Sequence, residues 1–235
     1  MKLSDDPRVV RGMRAQLELR RQRLSGGDEA LGWKVGFGAP AMLRQLNISG
    51  PLVGLLTRSA GIPSGAKVSL SGWAKPVAEP EIAVHIARDI SPDADRASTT
   101  AAIGGISPAI ELVDVTAPPE DPEEILRGNI YQRHVVLGAG TPAQIDSAAN
   151  GLVCRVIRRG FEVARTADPQ ANTGNWIDLV THVANVLAAF GEVLRAGEIV
   201  ITGSVVPPIG IESREDGIAF EVDPIGGIEV RFRWA

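Results

Sequence analysis

The chain has 235 residues, enough for one large domain or two small ones, and its 44% hydrophobic and 22% charged residues are those of a globular protein. The 24 Lys and Arg against 28 Asp and Glu leave a net charge of −4, which argues against a nucleic-acid partner, and no apolar run approaches the roughly 18 residues of a membrane span. One cysteine, Cys154, excludes an intrachain disulfide or a thiolate metal cage, and its place in the apolar run LVCRVI marks it as a buried structural thiol. The opening MKLSDDPRVV lacks the apolar stretch of a secretory leader, so a cytoplasmic protein is expected.

The first element expected is a helix over 5–24. Asp5 or Asp6 caps it, Pro7 suits its first turn, and Val10, Met13 and Leu17 share one face opposite a solvated, Arg-rich one. A strand over 31–37 places Trp33, Val35 and Phe37 on one side and Lys34 and Gly36 on the other. A helical turn over 40–47 follows, then strands over 51–57, 67–73 and 78–90. Residues 93–103 read as helical, with Asp93 and Asp95 near the start, and 107–115 as another strand. A Pro- and acid-rich loop and short helix fill 117–131. Strands are expected over 134–140, 151–160 and 161–167, and the longest apolar helical pattern over 176–190, with Ile177, Val180, Val183, Ala184 and Leu187 on one face. From 197 on, the chain reads as strands and turns. Many strands and few helices indicate an α+β fold, a mixed β-sandwich or β-roll with a few flanking helices.

Four places carry chemistry. Glu79 and Glu81 are two apart in a strand, so both carboxylates leave the same face, with Ile82, Val84 and Ile86 on the other. They are either a solvated edge strand marked by Pro80, or a pair that needs a cation such as Mg²⁺ between them. Glu111 sits in the apolar strand AIELVD, either facing solvent or paired inside; Asp114 falls on the alternate face. Lys34 is either an exposed residue of a half-buried strand or the floor of a pocket, with Gly36 beside it leaving room for a ligand. Thr202, Gly203 and Ser204 end a strand with hydroxyls and an N–H that suit an anion, a weak signal alone. His85, His134 and His182 lack metal spacing, and His182 is expected to bond locally to Asp178.

The ordered motifs GWKVGFGAPAMLRQLNI, EPEIAVHIARDI, SPAIELVD and GEVLRAGEIVITGSV together resemble the fumarylacetoacetate hydrolase superfamily, in its 2-keto-4-pentenoate hydratase and 4-oxalocrotonate decarboxylase branch. The resemblance runs from about residue 31 to the C-terminus. It implies residues 1–30 as a short N-terminal helical segment and 31–235 as a single catalytic β-roll domain. It implies Glu79, Glu81 and Glu111 as ligands of Mg²⁺ or Mn²⁺, with Lys34 and Glu79 as catalytic residues. Lys34, Thr202, Gly203, Ser204 and Asn129 would bind substrate. The chain departs from that branch in having Gly174-Asn175-Trp176 where hydratases often carry Gly-His-Pro.

The activity implied is hydration of a 2-hydroxy-2,4-dienoate through a metal-stabilised enolate of a 2-oxo acid. A 4-oxalocrotonate-type decarboxylase and an acylpyruvate hydrolase are the alternatives, and a non-catalytic 2-oxo acid binding or assembly protein is the rival of another class. The expected partners are a small 2-oxo acid and further copies of the chain, with neither nucleic acid nor membrane.

Overall fold

The structure is a computed structural model that describes residues 2–142, 145, 147–212 and 217–234. A 3-10 turn at Leu3–Asp5 leads into α1 (Pro7–Ser25), capped by the Asp6 carboxylate accepting from the Arg8 amide. Then follow β1 (Ala30–Gly36), α2 (Pro40–Leu46), β2 (Leu52–Thr57), β3 (Gly61–Ile62), β4 (Lys67–Ser69), β5 (Pro76–Ile86), α3 (Arg96–Ala102), β6 (Ile103–Asp114) and α4 (Pro122–Arg127). The second half holds β7 (Gln132–Leu137), β8 (Thr141–Pro142), β9 (Val153–Arg158), β10 (Phe161–Thr166), α5 (Trp176–Ala189), β11 (Ile199–Ser204), β12 (Ile209–Gly210), β13 (Gly217–Asp223) and β14 (Gly226–Arg233). The α+β class and roll-like architecture expected from the sequence are what the chain adopts.

Among the described residues, nine strands form the main sheet, in the order β2-β1-β11-β5-β6-β7-β3, with β12 added to β5 and β8 to β6. Five strands, β10-β9-β13-β14-β4, form a second sheet. β2 passes through a single turn, Arg58–Ala60, into β3, so the two ends of the main sheet are neighbours in sequence and the sheet curls on itself. The inner face carries its own apolar cluster: Leu31, Leu56, Ala83, Ala109, Val135, Ile199 and Ile201. The outer face packs Trp33, Ile82, Val84 and Val200 with Met13 and Leu17 of α1 and Ile177, Val180, Val183 and Leu187 of α5; Val156, Phe220 and Val230 of the second sheet belong to the same core.

Several elements differ from the sequence reading for local reasons. Phe37 leaves β1 because it takes a left-handed conformation (φ 59°), so it does not continue the Trp33–Val35 face. The strand expected over 67–73 stops at Ser69, where Leu70 N–H reaches the Arg233 carbonyl and Trp73 N–H closes a turn onto Leu70. The helix expected from residue 93 starts at Arg96, capped by Asp95 accepting from the Ser98 amide. The Arg-rich face of α1 is not solvated throughout. Arg20 is 12% exposed, lies 4.8 Å over the Trp33 ring, and donates to Glu198 at 3.2 Å. Cys154 is buried, and burial pushes its thiol up to about 12, so it stays protonated and inert.

Candidate metal and substrate site

β5 lies inside the main sheet, between β11 and β6, so Glu79 and Glu81 are not on an exposed edge. Pro80 is tolerated there because β11 bulges between Ile201 and Ser204, and the Pro80 carbonyl still accepts from Val205 N–H at 2.8 Å. The antiparallel register sets Glu79 directly opposite Glu111 and Glu81 opposite Ala109. β1 enters from the other side, pairing Lys34 with Ile201. One carboxylate oxygen from each of Glu79, Glu81 and Glu111 then lies within 4.8 Å of the others. Glu81 and Glu111 are fully buried, Lys34 is buried, and Glu79 is half-buried.

Three carboxylates this close raise one another's proton affinity. Glu81 is held well above the usual carboxylate range, first by burial, then by the charges of Glu111 and Glu79. Burial pushes Glu111 up to about 7, against the pull of Lys34, and burial also raises Glu79. Glu81 Oε2 accepts from the Gly203 N–H at 2.7 Å and Glu111 Oε1 from Lys34 Nζ. Their other oxygens, Glu81 Oε1 and Glu111 Oε2, are buried without a hydrogen-bond partner. A buried carboxylate oxygen left unpaired is costly. The two orphans belong to the same three-carboxylate cluster, a set of hard oxygen donors suited to a divalent cation.

Lys34 is gripped closely. Its Nζ donates to Glu111 and to the Ile130 carbonyl at 3.1 Å, which commits two of its three N–H groups. Its stem crosses Gly54 of β2, where a Cβ would stand 2.7 Å from Lys34 Cγ. The neighbouring Gly36 leaves no ligand space: a Cβ there would meet Ile130 Cγ2 at 2.9 Å, so its open side is filled from within the chain. On the opposite side of β1, the Trp33 indole donates to Glu198 at 3.1 Å, and Glu198 also accepts from Arg20. That network fixes β1 from behind, and no local sequence pattern signals it because Glu198 lies 165 residues from Trp33.

The remaining candidates have other partners. Thr202 Oγ1 donates to the Ile82 carbonyl at 3.0 Å, Ser204 Oγ to the Pro80 carbonyl at 3.3 Å, and the Gly203 N–H to Glu81. Instead of a free anion cradle, this triplet clasps β5 and orients Glu81. Asn129 is buried and bridges the main chain of Leu55, accepting from its N–H at 2.8 Å and donating to its carbonyl at 3.0 Å. Asp114 faces away from Glu111 and accepts from the Ala74 and Lys75 amides. His182 pairs with the Pro51 carbonyl at 2.8 Å; Asp178, its expected partner, is bound by Arg96. His85 meets Ser107 Oγ at 2.8 Å and His134 stacks on Trp73, so among the described residues no histidine pairs with a carboxylate. Asn175 caps α5, accepting from Ile177 and Asp178 amides.

Comparison with known proteins shows what the whole chain is similar to. The chain is 29% identical over 225 residues to a 2-hydroxyhexa-2,4-dienoate hydratase of Comamonas testosteroni and 26% identical over 220 residues to a 4-oxalocrotonate decarboxylase of Pseudomonas putida. Each alignment covers 92% of this chain and 83% of the relative. Its fold matches that of 4-oxalocrotonate decarboxylase from Pseudomonas putida G7, complexed with magnesium and adipate, with a TM-score of 0.83 at 24% identity over 93% of this chain and 83% of that one. The family model described as fumarylacetoacetate (FAA) hydrolase C-terminal matches residues 37–233, and the chain belongs to that family.

Proposed function

We propose that the chain is a divalent-metal-dependent enzyme of 2-oxo acid catabolism that hydrates a 2-hydroxy-2,4-dienoate. The observation that carries this reading is the pair of unpartnered buried oxygens, Glu81 Oε1 and Glu111 Oε2, in a cluster with Glu79. Glu79, Glu81 and Glu111 would hold Mg²⁺ or Mn²⁺. When bound, the ion supplies Lewis-acid charge to a 2-oxo carboxylate and to the negative charge that develops on its keto oxygen. The chain's own residues do the rest. Gly203 N–H fixes the rotamer of Glu81, and Lys34 that of Glu111. The third N–H of Lys34 is available to a substrate oxygen or to a carbon that gains a proton. Ala83, Ala109, Val135 and Ile201, on the same inner face, keep water from that end of the sheet. Glu79, half-buried, is the carboxylate best placed to meet a substrate proton.

The hydratase and decarboxylase readings share this first stage, and relatives of both names match equally much of the chain. The histidine partners described above favour neither as much as they disfavour carbon–carbon hydrolysis, which calls for a His–carboxylate pair to activate water. A cytoplasmic homo-oligomer is the setting we propose; Phe161 and Val163, 74% and 51% exposed on β10, supply apolar surface for a second copy. A Mg²⁺-dependent ultraviolet assay against 2-hydroxydienoates, oxalocrotonates and acylpyruvates, with carbon dioxide measured in parallel, tests the reaction. Loss of dienoate absorbance without carbon dioxide is expected. Carbon dioxide release from an oxalocrotonate selects the decarboxylase, and no turnover on any of the three selects the binding protein.

The raised carboxylates also set a pH dependence. Above the ordinary value of 4.5 the unfolded chain has released these protons, while the folded metal-free protein retains the Glu111 proton up to about 7, and Glu81 is likewise held above the usual carboxylate range. Their contribution to metal-free stability therefore falls as pH rises through that window. An ion that binds the ionised carboxylates must displace the protons. The increase in Tm on adding Mg²⁺ is expected to be small near about pH 5 and to reach roughly 5–10 °C near about pH 8, with the ion at about 100 times its Kd. An increment independent of pH between those values would contradict the assignment.

A further inference from the structure

The turn that supplies the Ile130 carbonyl has an unusual backbone. Asn129, Ile130 and Tyr131 have φ of 51°, 53° and 61°, three consecutive non-glycine residues in the left-handed region. Asn visits that region readily; a β-branched Ile does so at a cost. Such a conformation persists only where its surroundings over-determine it, and it concentrates at functional sites. Here three contacts impose it. The Asn129 amide clamps both main-chain groups of Leu55. The Ile130 side chain fills the space over Gly36, where no larger residue would fit. The Tyr131 ring packs edge-on against Phe37, 6.4 Å between centroids, and Phe37 is itself left-handed. The first two land on β2 and β1 and the third just past the end of β1, and what they leave projecting is the Ile130 carbonyl, 3.1 Å from Lys34 Nζ.

We infer that Asn129 is a positioning residue for Lys34. By pinning the left-handed turn to Leu55 it aims the Ile130 carbonyl at the ammonium, which holds Lys34 against Glu111 and leaves one N–H for the substrate. Gly54 belongs to the same device, because it admits both the Lys34 stem and Asn129 Oδ1, 3.2 Å from where its Cβ would be. The inference rests on Lys34 being an active-site group, as proposed above.

The test is a double-mutant cycle on metal affinity, which does not depend on turnover. Asn129→Ala, Lys34→Met and the double variant are titrated with Mn²⁺ by calorimetry, and Asn129→Ser replaces the alanine variant if that one does not fold. Lys34 donates to a candidate ligand, Glu111, so a Lys34 that has lost its place changes ion affinity. Asn129→Ala is expected to shift Kd about 3-fold or more, in the same direction as Lys34→Met, and to add nothing in the Lys34→Met background. Equal effects of Asn129→Ala in both backgrounds, or no effect in either, overturn the inference. The Lys34 Nζ resonance of the metal-free protein gives a second readout. Asn129→Ala is expected to remove the signature of its bond to Ile130; an unchanged resonance overturns the inference even if the chain binds no metal. A wild-type chain that binds no Mn²⁺ sinks the metal reading instead, before any variant is compared.

Discussion

Glu81→Gln and Glu111→Gln are each expected to weaken Mg²⁺ binding by about two orders of magnitude or more, on the order of 3 kcal/mol, while leaving the fold intact. The substitution keeps volume, and at position 81 the amide oxygen can still accept from the Gly203 N–H. What it removes is one of three charges in a site that depends on ligand charge. The sign in the absence of metal is opposite. Burial and the charges of two neighbouring carboxylates disfavour the ionised form of Glu81, so a neutral amide in its place removes that cost. Glu81→Gln should therefore match or exceed the wild type in metal-free Tm and lose the increase that Mg²⁺ gives the wild type. Calorimetric titration with thermal melts checks both signs. Unchanged affinity in both variants would remove these residues from the ligand set.

Lys34→Met separates an enzyme from a binding protein. Methionine approximates the stem that crosses Gly54 but donates nothing to Glu111 or Ile130. Removing one partner of a buried ion pair leaves the other uncompensated, so metal-free stability should fall by about 3–5 kcal/mol. Metal binding should tighten, since a cation next to the site has gone. Turnover should drop by roughly 10²-fold or more, the range of a lost acid–base group. Steady-state kinetics at saturating Mg²⁺ read the split. Wild-type turnover in Lys34→Met would end the catalytic role of this residue.

How much of this was readable beforehand follows the physics of each feature. Strand alternation fixes which side chains share a face, so EPEIAVHI assigned both glutamates to one side and Ile82, Val84 and Ile86 to the buried other. Helical periodicity likewise marked the face of α5 that is buried. Alternation does not choose a strand's neighbour, so the sheet position of β5 and the pairing of Glu79 with Glu111 came from the motif order and from the fold. Gly36 shows the limit from another side. A glycine in a strand signals close approach, but the sequence does not say of what, and here it is Ile130. Thr202, Ser204 and Asn129 are polar residues near a polar site whose bonds nevertheless run to main-chain groups of β5 and Leu55. The left-handed turn at Asn129–Tyr131 was invisible because two of its three residues carry no preference for that conformation.

The most direct measurement is an anomalous difference map from a crystal of this chain soaked in Mn²⁺ at about pH 8, above the value of about 7 to which burial raises Glu111. A single strong peak within coordination distance of Glu79, Glu81 and Glu111, with Lys34 outside the ligand shell, is the expected result. Density elsewhere, or Lys34 and the glutamates unchanged around an empty centre, would contradict a metal-dependent site at this place in the sheet.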